Sequence, residues 1–276
     1  MYQVLCSTGA LIGRPNNRNH KLLGEYASQI QCDGFEFMFY KSWYPKADEI
    51  VRDIQSMKLN IPVFHCEKGI GERISKSNKK QLQEVLMLFT VNCQVASAIG
   101  AEKIVVHLWD GVTSDRYMER NLSAYGALKE IAVENGLLLM IENVVCNQKE
   151  PFAHFCELRE NDSQVAFTFD TKMAAFHHQL DFIYETKWKW LWEEQHIRHL
   201  HVNDYSGGYM DWQNLKTLHL GRGWIDFDRF FQFVFSSGYR GDFTLEATSF
   251  DSEGRVHYDW MNESIKIVRD GLKVLF

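Results

Sequence analysis

Residues 137–145 read LLLMIENVV, five apolar side chains followed by a glutamate, an asparagine and two valines. Positions of both parities are apolar up to Glu142, so a strand here is covered on both faces, the pattern of a parallel sheet flanked by helices. The residues just upstream, RNLSAYGALKEIAVENG, have helix-forming composition and end in Gly136, the residue type that stops a helix in a left-handed turn. A helix, a glycine and a doubly covered strand follow one another. The fold depends on whether that unit repeats.

It does. Short apolar or β-rich runs recur as YQVLCS near residue 2, GFEFMFY near 34, IPVFHC near 61, KIVVHLW near 103, VAFTFD near 165, IRHLHVND near 197 and DFTLEA near 242. With the run at 137 they make eight. Between them lie segments with helical periodicity or composition: NHKLLGEYASQI, KADEIVRDIQSM, KKQLQEVLMLFTVNCQVASAIG, FDRFFQFVFSSG and WMNESIKIVRDGLKVLF. Alternating strands and helices predict an α/β fold, a single (β/α)8 TIM barrel over residues 1–276, with an open doubly wound sheet as the alternative. No Pro/Ser-rich linker divides the chain, which has only 4 prolines, so one domain is expected. Two connections are long: DTKMAAFHHQLDFIYETKWKWLWEEQ after the sixth run, and GGYMDWQNLKTLHLGRG after the seventh, which reads as a functional element.

Glu142 ends a buried run, and burying an ionised carboxylate without a partner costs several kcal/mol or more. It must be neutral, salt-bridged or bound to a cation. The other strand ends decide between these. They carry His65, His107, Asp170, His201 with Asp204, and Glu246. In a parallel barrel all such residues converge on the C-terminal rim, where barrel active sites are built. Crowded carboxylates repel one another unless a cation compensates them, so a divalent ion explains the set better than separate ion pairs. Mixed imidazole and carboxylate ligation suits Zn, Mn, Co, Mg or Fe.

Composition excludes several functions. The formal net charge of −6 argues against a dedicated nucleic-acid binder. Six cysteines without a C-x-x-C pair read as reduced thiols, not as a zinc finger or redox dithiol. The start MYQVLCSTGALIGRP lacks a basic region followed by an apolar core, and no apolar stretch is long enough for a membrane span. A cytoplasmic protein without membrane partners is expected.

GFEFM on the second strand, VVHL on the fourth, IEN on the fifth, FDT on the sixth, HVND on the seventh, LGRGWIDF before the last barrel helix and LE on the eighth together resemble the xylose-isomerase-like barrels. That superfamily includes sugar-phosphate isomerases and epimerases, myo-inosose dehydratases and the apurinic endonucleases of the endonuclease IV type. The resemblance implies that Glu142, Asp170, His201 and Glu246 bind a central divalent metal. His65 and His107 match positions that hold an additional zinc in endonuclease-like members and line the substrate site in isomerase-like ones. The chain also departs from the pattern. Met173 stands where a histidine commonly follows the strand-six Asp, with His177 and His178 arriving later. His219 is the one histidine of the loop that in endonucleases carries Asp-x-His. YSGGYM replaces the segment that holds an arginine in ketose epimerases.

What the resemblance then implies is a divalent-metal-dependent sugar or sugar-phosphate isomerase or epimerase working through an enediolate, with Glu142 and Glu246 as the proton-transfer pair and His65 and His107 beside them. Glu67 and Lys68 in HCEKG, Trp109, Asp204, His219 and Arg222 are the candidate substrate-binding residues, Trp109 as a stacking platform or else a core or rim packing residue, and Arg222 for a phosphate or carboxylate or else a solvated loop residue. A dehydratase of a keto-polyol or dehydroshikimate-like acid is the alternative, and abasic DNA a less favoured substrate, because the acidic charge and Met173 weigh against it. A small carbohydrate is the expected partner, and a homo-oligomer is implied by the resemblance alone.

Overall fold

All eight runs are strands in the computed structural model, which describes residues 2–109 and 115–273. They are β1 (Val4–Ser7), β2 (Gly34–Met38), β3 (Val63–His65), β4 (Lys103–Val106), β5 (Leu138–Glu142), β6 (Ala166–Asp170), β7 (Ile197–His201) and β8 (Asp242–Leu245), and they close in sequence order into a barrel. Parallel register is seen for β8 against β1 (Val4 beside Phe243), β2 against β3 (Met38 beside His65), β3 against β4 (His65 beside Val105), β4 against β5 (Val106 beside Ile141) and β7 against β8 (His201 beside Thr244). The eightfold unit read from residues 137–145 is thus the architecture. Contacts group the chain into two compact units, Met1–Phe35 with Thr168–Phe276, and Glu36–Phe167, whose boundaries fall inside β2 and β6 rather than in linkers.

In the unit Glu36–Phe167, the long helix Lys79–Ala98 begins at a capping box. Asn78 accepts from the Lys80 and Gln81 N–H groups, and the Gln81 side chain accepts from the Asn78 N–H. Both this helix and Met118–Glu134 stop at glycines with positive φ, Gly100 at 88° and Gly136 at 74°, and the next N–H in each case returns to a carbonyl of the last turn. That closure satisfies the end carbonyls and turns the chain straight into β4 and β5. Strand and helix then bury Ile104, Val106, Leu128, Leu139, Ile141 and Phe155, with Phe155 stacked on Phe167 at 3.9 Å between ring centroids.

The unit built from the chain ends holds β1, β7, β8 and the helices Phe227–Ser236 and Tyr258–Lys273. Phe230, Phe231, Tyr239 and Phe243 form its ring-rich core. Asp204 organises the long connection after β7: its carboxylate accepts from the N–H groups of Tyr205 (2.8 Å), Gly223 (2.8 Å) and Ile225 (3.2 Å), and its backbone pairs with Leu218. Gly223 is required there, because a Cβ would lie 2.2 Å from the Tyr205 carbonyl oxygen.

One expected helix is much shortened, and helices form where none was expected. NHKLLGEYASQI forms one helical turn, Leu23–Tyr26, between 3-10 turns, in keeping with Gly24 in a short segment. The connection after β6 breaks into the helix Thr171–Phe176, which Asp170 caps, and several short turns. Two helices not predicted, Ile70–Lys76 and Pro151–Asn161, flank β3 and β5; the second starts with proline, which suits a first helical position. The last helix is described to Lys273, and residues 274–276 of its expected span lie outside the described residues. Among the described residues no helix is long and apolar enough to cross a membrane.

Candidate metal centre

In the unit Glu36–Phe167, β3, β4 and β5 bring His65, His107 and Glu142 together. All three are buried. Glu142 Oε2 accepts from His107 Nε2 at 2.9 Å and lies 3.4 Å from His65 Nε2, and the two imidazoles meet edge to face at 5.0 Å. His65 Nδ1 sits 2.8 Å from the Cys66 carbonyl oxygen, which can only accept, so that nitrogen carries the hydrogen and Nε2 faces the carboxylate. The glutamate that closes LLLMIE therefore rests against two imidazoles.

In the other unit, Asp170, His201 and Glu246 offer one donor atom each within 4.8 Å of one another. A single side chain ties them: Asn203 donates from Nδ2 to Asp170 Oδ2 at 3.1 Å and to Glu246 Oε2 at 3.0 Å, while its Oδ1 accepts from the Glu246 N–H at 3.1 Å. His201 Nδ1 is 3.4 Å from the same Glu246 oxygen. Asp170 Oδ1 accepts from the Met173 N–H as a helix cap, and Thr171 fixes the Asn203 backbone by donating to its carbonyl oxygen and accepting from its N–H. One amide thus holds two carboxylates close enough to repel, with an imidazole alongside. That donor set fits a divalent ion of the zinc, manganese, cobalt or iron class, and the bridging amide supplies the outer-shell hydrogen bonds such ligands take. Sequence reading passed over Asn203, although it shares the face of His201 two residues earlier in HVND.

The remaining candidates are not drawn into these groups. Glu67 accepts from the Gly69 N–H at 3.0 Å and pairs with Arg73, while Lys68 is exposed. Trp109 is fully buried, donates its indole N–H to the Val144 carbonyl oxygen at 3.1 Å and packs on His154, so of its two expected roles it is a packing residue and not a stacking platform. Asp204 uses its carboxylate on the loop backbone, as described. His219 lies 3.2 Å from both Ser264 Oγ and the Thr248 carbonyl oxygen, and burial pushes its pKa below the usual histidine value. Arg222 is exposed and faces Glu263 at 3.8 Å. Of the later histidines, His177 is buried against Phe176 and His178 packs on Tyr209.

A family model described as xylose isomerase-like TIM barrel matches residues 25–275. No curated protein sequence matches the chain. Among solved structures it is similar to a D-tagatose 3-epimerase-like protein (TM-score 0.70, 17% identity, 99% of this chain and 98% of that one). It is also similar to 3-keto-D-glucoside 4-epimerase from E. coli (0.66, 17%, 98% and 100%). A third is D-allulose 3-epimerase from Methylomonas sp. in complex with D-allulose (0.67, 15%, 98% and 96%). At these identities the likeness establishes the fold.

Proposed function

Because the chain belongs to the xylose isomerase-like TIM barrel family, we propose that it is a divalent-metal-dependent isomerase or epimerase of a sugar or sugar phosphate. The observation that carries the reading is the Asp170–Asn203–Glu246 bridge with His201 beside it. Two acidic groups held on one neutral amide gain from a cation, and an imidazole completes a ligand set that a structural ion pair would not need. Glu142, which ends β5, is proposed as the fourth ligand; β5 precedes β6 in the barrel order. The sugar class is supported by the solved relatives, one of which holds D-allulose.

A divalent ion bound there supplies the positive charge that acidifies the carbon next to a sugar carbonyl and favours the enediolate. Glu142 and Glu246 take the proton from that carbon and return it. Each is aimed by a donor on one oxygen, His107 for Glu142 and Asn203 for Glu246, which orients it. His65 and His107 line the proposed substrate site beside Glu142. Arg222, which is exposed, is the cation for a substrate phosphate or carboxylate, and Lys68, also exposed, orients substrate hydroxyls.

The test is incubation with a divalent ion and a panel of ketopentoses, ketohexoses and their phosphates in deuterated water. The reading predicts interconversion with deuterium incorporated at the carbon next to the carbonyl. Interconversion without exchange overturns the proton-transfer mechanism, and no exchange with any member overturns the assignment of substrate class.

A further inference from the structure

Within the unit Glu36–Phe167, a second cluster lies apart from His65, His107 and Glu142 and has no part in the function proposed above. Asp115, Cys146 and His154 offer one donor atom each within 4.8 Å of one another, and all three are buried, at 3%, 0% and 1% exposure. They come from a short turn before the helix Met118–Glu134, from the connection after β5, and from the helix Pro151–Asn161. Three separate segments thus present an oxygen, a sulfur and a nitrogen to one spot.

Two donor atoms of the cluster have no hydrogen bond among the described residues. Asp115 Oδ2 accepts from the N–H groups of Asn147 (2.9 Å), Gln148 (2.6 Å) and Lys149 (3.3 Å), which fixes the carboxylate, while among the described residues Oδ1 is buried with no hydrogen bond. His154 Nδ1 lies 2.8 Å from Glu157 Oε2, and since a carboxylate only accepts, that nitrogen carries the hydrogen. In the neutral imidazole Nε2 is then a lone pair. Among the described residues it is buried without a hydrogen bond, and it lies 3.8 Å from Asp115 Oδ2. A histidine oriented by a carboxylate on one nitrogen, with the other turned to a group of donors, is the arrangement proteins use to hold transition metals. A plain Asp–His pair would instead place a hydrogen between the two, at a shorter distance.

We infer that Asp115, Cys146 and His154 form a second metal site, for an ion of the zinc or cobalt class, with Glu157 orienting His154. Sulfur, imidazole and carboxylate together select zinc-like ions over magnesium or calcium, and three protein ligands leave one position of a tetrahedral ion open. The thiol enters as thiolate: the ion–sulfur bond forms as the S–H proton leaves to solvent, without change of oxidation state. Because the ligand is the thiolate, occupancy falls as pH is lowered.

The test uses protein produced in cobalt-supplemented medium and read by near-ultraviolet absorption. The proposed catalytic set contains no sulfur, so a thiolate-to-cobalt charge-transfer band distinguishes the second site from it, and substitution of Cys146 assigns the band among the six cysteines. The band is expected in the natural protein and in Glu246→Gln, and is lost in Cys146→Ser together with one equivalent of cobalt. Should Cys146→Ser fail to give a cooperative thermal transition, His154→Gln supplies the same comparison. A natural protein without the band, or a band that survives both substitutions, overturns the inference and leaves the catalytic proposal untouched.

Discussion

Replacing Asn203 with alanine removes the amide that joins two carboxylates, and its consequences can be worked out bond by bond. Two hydrogen bonds to charged oxygens are lost, at 3.1 and 3.0 Å, with one from the Glu246 N–H at 3.1 Å. Bonds to charged groups contribute about 1.5–3 kcal/mol each and neutral ones about 0.5–1.5, which brackets the loss at about 3.5–7.5 kcal/mol. Water entering the space left by the amide offsets part of this, so about 3 kcal/mol is expected for the metal-free protein. Loss of an outer-shell partner also weakens metal binding roughly 10–100-fold. Urea unfolding in the presence of a chelator measures the first quantity, and competition against a chromophoric chelator the second. A variant within about 0.5 kcal/mol of the natural protein, the range of an ordinary surface change, and with unaltered metal affinity refutes the reasoning.

Glu142→Gln keeps the shape of the side chain but cannot accept a proton from carbon; deuterium exchange into a ketose should fall by about 100-fold or more, the usual weight of a general base, with an unchanged circular dichroism spectrum. Trp109→Phe removes a buried hydrogen bond and core volume, so it should cost about 1–3 kcal/mol in denaturant unfolding while leaving KM for the sugar unaffected; a raised KM with full stability would return Trp109 to the substrate site. His219 has a folded pKa pushed below the ordinary histidine value by burial. The unfolded chain therefore takes up the proton first as pH falls, and stability drops below about pH 6.5 until the folded pKa is passed. Unfolding free energies at pH 7.5 and 5 should show that loss in the natural protein and a smaller one in His219→Gln.

The strands were legible because burial on both faces leaves unbroken apolar runs, and Gly100 and Gly136 marked where helices had to end. Pro151–Asn161 was not, because charged residues interrupt its apolar positions and its opening proline reads equally as a turn. Strand-end polar residues could be chosen because a parallel barrel collects them at one end, which is how His65, His107, Glu142, Asp170, His201 and Glu246 were found. Asn203 escaped because an uncharged amide raises no question of burial cost. Trp109 shares its parity with His107, but the chain has left β4 at Val106, so parity no longer forecasts where the ring points. Asp204 stands two residues beyond Val202 in a motif that looks like a site, yet its three donors lie on Tyr205, Gly223 and Ile225, a pairing that only the folded loop defines. The Asp115, Cys146 and His154 cluster joins segments 31 and 8 residues apart, with no spacing motif to announce it.

The most direct test is anomalous diffraction from crystals of the metal-loaded protein, collected on both sides of the ion's absorption edge. The account predicts an anomalous peak with Glu142, Asp170, His201 and Glu246 as its ligands. A fully loaded protein with no peak touching Asp170, His201 and Glu246 contradicts it.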